Sequence, residues 1–123
     1  MFELSKRFNF DAAHTLQRQI KTASSRRIHG HTYGAEVTIR GHVDPLTGMV
    51  MDVGLLAAAV DVARCDLDHH FLDDIENLGP ATLENLSIWI WRRLAPTIPG
   101  LWRVTVYRQS SSDSCAYFGP GES

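Results

Sequence analysis

The sequence predicts an α+β domain: an antiparallel sheet in the order ββααββ with two helices on one face. Three observations carry this. Residues 2–10 and 29–39 alternate apolar and polar with period two, as half-buried strands do. Residues 52–64 and 82–95 combine helix-capping residues with apolar positions at helical spacing. Residues 104–118 return to strand composition around a polar turn.

In the first strand Phe2, Leu4, Phe8 and Phe10 share one parity, against Glu3, Ser5 and Arg7. Residues 12–28 are polar and basic and predict a long loop, which in a small domain is more often functional than idle. The second strand sets His29, His31, Tyr33, Ala35, Val37 and Ile39 against Glu36, Thr38 and Arg40. Asp44-Pro45-Leu46-Thr47-Gly48 has turn chemistry. Asp52 caps a helix that runs through Leu55–Val62 to about Arg64. A second helix starts near Thr82, carries Leu83, Leu86, Ile90 and Leu94 as its stripe, and stops before Pro96. Val104–Gln109 predicts a strand, Ser110–Asp113 a turn, and Cys115–Phe118 a short final strand. Four strands cannot close a barrel alone, so their edges predict pairing between subunits.

The 123 residues make one domain with its own core. A net charge of −2 supplies no broad basic field for nucleic acid or an anionic membrane. The longest apolar stretches, such as Val53–Val60, are too short to span a bilayer. The first residues carry no signal-peptide pattern, and a cytoplasmic location is the expectation. Cys65 and Cys115 are the two cysteines, too few for a disulfide scaffold, and are expected as buried thiols.

Six histidines are present, three of them suggestively placed. His29-Gly30-His31 opens the second strand, where i and i+2 side chains point the same way. His14 follows the first strand. If the strands pair, three imidazoles converge, and three histidines with an open fourth position make a catalytic zinc site. The competing reading is of strand-end histidines satisfied as ordinary polar residues. Asp68-His69 places a carboxylate beside a ring whose tautomer it can fix, supporting acid–base chemistry; a solvated acidic connector is the alternative. Glu84, in the first turn of the second helix, also complements the helix dipole, and Trp89 and Trp91 read as packing.

Phe10-Asp11-Ala12-Ala13-His14, His29-Gly30-His31-Thr32-Tyr33, Gly48-Met49-Val50-Met51-Asp52, Leu67-Asp68-His69-His70-Phe71-Leu72, Thr82-Leu83-Glu84-Asn85 and a terminal Tyr-containing strand follow one another along almost the whole chain. This ordered set resembles the 6-pyruvoyltetrahydropterin and 6-carboxytetrahydropterin synthase family. The resemblance implies a tunnelling fold (T-fold), in which sheets from several subunits form an oligomeric barrel. It also implies a homohexamer of two trimers with active sites at subunit interfaces. It implies that His14, His29 and His31 hold Zn2+, and that Asp68 and His69 are the catalytic dyad. Thr82, Leu83 and Glu84 would line a pterin pocket. The implied activity is a lyase reaction on a 6-substituted dihydropterin such as dihydroneopterin triphosphate. Its product would be 6-carboxytetrahydropterin, as in queuosine biosynthesis, or a side-chain-cleaved pterin.

The sequence departs from the family pattern twice. The family's catalytic cysteine, in its bacterial Cys-x-x-x-His spacing, matches Ser25; in the longer eukaryotic spacing it matches Ala23. A thiol near pKa 8.5, on the order of its unperturbed value, can be tuned toward neutrality, whereas a serine hydroxyl needs strong activation. The standard activity is therefore expected to be reduced. Counting back from Tyr117, the family's pterin-anchoring glutamate matches Gln109, and a shift of one residue selects Arg108. A glutamine amide suits a ring edge with one donor beside one acceptor, as in a dioxo ring. The alternatives are a diverged enzyme on another pterin- or purine-like ring, and a non-catalytic pterin-binding homologue.

Overall fold

The computed structural model describes residues 1–15 and 29–121. Strands β1 (Phe2–His14) and β2 (His29–Gly41) are followed by helices α1 (Val53–Leu67) and α2 (Leu83–Leu94), then β3 (Leu101–Arg108) and β4 (Ser114–Tyr117). The sheet has the order β1-β2-β3-β4, antiparallel throughout. The α+β class and the ββααββ order are as the periodicities predict.

The pleat sorts the side chains. Phe8, Phe10 and Ala12 of β1, Tyr33, Ala35, Val37 and Ile39 of β2, and Val104 and Val106 of β3 form the buried face. They pack in one core with Leu56, Val60, Ala63 and Leu67 of α1 and Leu86, Ile90 and Leu94 of α2. The opposite face is polar. There Arg7 Nε donates to Glu36 Oε2 at 2.6 Å, and the hydroxyls of Ser5 and Thr38 lie 2.8 Å apart. Each helix starts on a side-chain cap: Asp52 accepts from the Gly54 N–H at 2.7 Å and Thr82 from the Asn85 N–H at 3.1 Å.

Three boundaries differ from expectation. β1 runs through Ala12, Ala13 and His14, which the polar composition downstream assigned to a loop. Its backbone is satisfied on both sides there. β2 pairs with it as far as His14↔His29, and on the other edge the His69 N–H donates to Asp11 O at 2.6 Å and the Ala13 N–H to His70 O at 3.2 Å. α1 continues past Arg64 because Leu67 is buried and the Asp68 N–H still reaches Arg64 O at 2.8 Å. β3 begins at Leu101, where the Gly100 carbonyl accepts from the Arg40 N–H at 2.9 Å beside a register shift at Thr38/Ile39. Cys65 is exposed and Cys115 half-buried, so neither is the buried thiol expected. Among the described residues no helix is long and apolar enough to cross a membrane.

Candidate functional site

Strand pairing sets Ala12 opposite His31 and His14 opposite His29. His14 is 2% exposed, and its ring centre lies 5.0 Å from that of His31. Two imidazoles bound ~2.0–2.1 Å from one tetrahedral Zn2+ have ring centres about 5 Å apart, so this pair fits a shared zinc ion. Tyr33 closes the cluster, its ring 6.3 Å from His14 and 5.8 Å from His31. Burial pushes its phenol up to about 12, against the opposing pull of the Arg108 charge, so at neutral pH it is a hydrogen-bond donor. Ser25, the position matched to the family cysteine, lies outside the described residues.

Asp68 and His69 follow α1 where the chain returns to the edge of β1. Asp68 Oδ1 accepts from the Asp11 N–H at 2.9 Å, and Oδ2 accepts from Arg64 Nη2 at 3.0 Å. His69 Nε2 is 3.7 Å from Oδ2, inside ion-pair range and beyond a hydrogen bond. The Asp68 carboxyl is held below the usual carboxylate range, first by the Asp11 N–H and then by the charges of His69, Arg64 and His70, with burial opposing. His69 has φ 58°, the left-handed position just past a helix end where glycine is usual. Its side chain is 76% exposed.

Two cavities border the histidine pair. One, of about 580 Å³, is lined by Asp11, His31, Thr32, His69, His70 and Phe71. It joins the second strand's histidine to the dyad residue His69. The other, of about 360 Å³, is lined by His14, Tyr33, Thr82, Leu83, Glu84, Arg108 and Cys115 among others. It brings the α2 N-terminus to the first strand's histidine. Six of the ten residues singled out in the sequence therefore fall on these two walls: His14, His31, His69, Thr82, Leu83 and Glu84. Asp68 stands behind His69.

Gln109 is not among the residues that line either cavity. Its N–H extends the β2–β3 ladder to Thr32 O at 3.0 Å, and its Nε2 donates to Asn9 Oδ1 at 2.9 Å on the polar face. The cavity position belongs to Arg108, which pairs with Tyr33 and shares its face. The reason is the period-two pleat: with Val104 and Val106 turned to the core, the next inward residue is Arg108. That parity was available in the sequence; counting back from Tyr117 across a turn was the weaker guide. Sequence reasoning also passed over Tyr33 and Cys115. Burial, aided by the Glu84 charge, pushes the Cys115 thiol up, so it is protonated at neutral pH.

Comparison with known proteins agrees with this architecture. A family model described as 6-pyruvoyl tetrahydropterin synthase matches residues 3–120. A 6-carboxy-5,6,7,8-tetrahydropterin synthase from Synechocystis sp. is 34% identical over 98% of this chain and 95% of its own length. A dihydroneopterin monophosphate aldolase from Pyrococcus furiosus is 36% identical over 76% of this chain and 75% of its own. The structure of Caenorhabditis elegans 6-pyruvoyl tetrahydropterin synthase is similar with a TM-score of 0.85 at 28% identity, covering 96% of this chain and 95% of that one. With the family model spanning nearly every residue and a relative 34% identical over 98% of the chain, the chain belongs to the 6-pyruvoyl tetrahydropterin synthase family.

Proposed function

We propose that the protein is a zinc-dependent lyase-like enzyme acting on a 6-substituted dihydropterin such as dihydroneopterin triphosphate. The observation that carries this reading is the His14–His31 pair, 5.0 Å apart, between a cavity walled by His69 and one walled by the α2 N-terminus. His14, His29 and His31 would hold Zn2+, which supplies a Lewis acid for a side-chain oxygen of the substrate. Thr82, Leu83 and Glu84 would bind the ring. His69 would take and return protons at the side chain. Asp68, anchored by Asp11 and Arg64, would keep its charge beside His69 and position the ring.

Ser25 stands where the family pattern has cysteine, and a hydroxyl is a poor substitute for a thiol that must move protons near neutral pH. The standard synthase reaction is accordingly weak. The aldolase relative supports a second outcome, cleavage of the side chain. In that reaction His69 removes the proton of the hydroxyl on the second side-chain carbon, its carbonyl forms as the bond to the first side-chain carbon breaks, the electron pair passes into the ring, and His69 returns the proton to that first carbon. No step requires the missing thiol. We further propose a homohexamer, a dimer of trimers, supported by the open Glu3–Arg7 stretch of the β1 edge and by Val53, Leu55 and Val62 exposed on α1.

The test is incubation of zinc-loaded protein with dihydroneopterin triphosphate, followed by mass analysis of products. A cleaved pterin in excess of 6-carboxytetrahydropterin is expected. No consumption over hours would sink both forms of the proposal. Light scattering checks the assembly: a monomer in solution removes the hexamer.

A further inference from the structure

We propose that Arg108 is the specificity-determining residue of the smaller cavity, and that the ligand presents an acceptor-rich or anionic edge to it. This rests on the zinc site and ring pocket proposed above and narrows the ring: with Arg108 on that wall, a 2-amino pterin is the weaker fit. Arg108 lines the cavity beside Tyr33 and Glu84. Its Nε is buried and has no hydrogen-bond partner among the described residues. Among the described residues its one ion-pair contact, Arg108 Nη2 to Asp113 Oδ2, spans 3.8 Å to a carboxylate that is 70% exposed, too long for a hydrogen bond. The guanidinium fork is thus not consumed by the described residues.

The rest of the wall points the same way. Thr82 and Leu83 bring the start of α2, whose first-turn N–H groups lack intrahelical acceptors and carry the positive end of the helix dipole. Tyr33 offers a hydroxyl proton. Glu84 and Asp113 are the carboxylate acceptors on this wall, Asp113 at its exposed rim. A guanidinium is a donor only, and it pairs best with two neighbouring acceptors at once. A pterin presents an amino group at carbon 2, donor against donor. A ring with an oxo group there, or one carrying a carboxylate, removes that conflict and leaves ring N–H groups for Glu84. The volume, about 360 Å³, lies within the ~300–1,000 Å³ typical of small-molecule sites.

The experiment compares binding of three probes to the zinc-loaded protein: pterin, 2,4-dioxopteridine and 6-carboxypterin. Dioxopteridine or 6-carboxypterin should bind at least ~10-fold more tightly than pterin, and whichever does identifies the source of the acceptor edge. Arg108→Gln should abolish that preference, and Arg108→Lys should restore part of it, because the charge returns without the fork. Circular dichroism and zinc content verify that each variant is folded. Pterin binding as tightly as the others, or all three weakening equally in Arg108→Gln, overturns this inference while leaving the pterin enzyme standing. Failure of all three to bind overturns both.

Discussion

The main-chain N–H of Asp11 donates to Asp68 Oδ1 at 2.9 Å, while the Asp11 carbonyl accepts from the next residue's N–H. One residue of β1 thus holds both Asp68 and His69. Asp68→Asn should retain the fold and lower kcat by roughly 100-fold or more, as loss of general acid–base support does. An unchanged kcat would remove Asp68 from the chemistry.

The same contact makes stability pH-dependent. The folded Asp68 carboxyl lies below its ordinary value, so folding favours the ionised form. Its stabilising contribution is complete above the unfolded value of about 3.9 and is lost as pH falls through the lowered folded value. Urea midpoints of the wild type and Asp68→Asn should therefore converge as the pH drops below about 4. A gap that is constant with pH would contradict this.

His69 occupies a left-handed conformation that costs an L-residue on the order of 1–2 kcal/mol. His69→Gly should remove the strain, offset in part by the entropy of glycine, and raise stability by about 0.5 kcal/mol. Turnover should be lost in the same variant. A fall in melting temperature would mean that the exposed ring contributes to packing.

His31→Ala should reduce bound zinc from about one ion per chain to a small fraction of it, since three protein ligands are the usual minimum for such a site. Asp68→Asn should leave the zinc content unchanged. Elemental analysis of protein purified without chelator reads both. Zinc retained in His31→Ala would move the metal elsewhere.

Ser25→Cys should raise 6-carboxytetrahydropterin formation by about 10-fold or more if the missing thiol limits the synthase reaction. Product analysis decides it, and no gain would place the limitation in another residue.

Much of the fold was legible because its signals are local. The parity of Phe8 and Phe10 and of Tyr33 to Ile39 set the buried face, and Asp52 and Thr82 marked helix starts that the structure places there. The end of β1 was not legible, because Ala12 to His14 are held in the strand by residues 69–70, more than fifty positions away. At the site, the pairing of His14 and His31 followed from strand alternation. Arg108, rather than Gln109, on the cavity wall was legible from the parity of Val104 and Val106; the count back from Tyr117 crosses a turn whose residue number composition does not encode.

The hold of the segment after α1 on β1 also bears on assembly. The outer edge of β1 is occupied at Asp11 and Ala13 by that segment and at Asn9 by Arg64, whose Nε donates to the Asn9 carbonyl at 2.9 Å. Among the described residues, the outward backbone groups left open on this edge are those from Glu3 to Arg7. A strand docking there meets an end-stop at Asn9. In the hexamer proposed above, the edge would work as a ruler, setting how far one subunit could slide along the next before the ladder runs out.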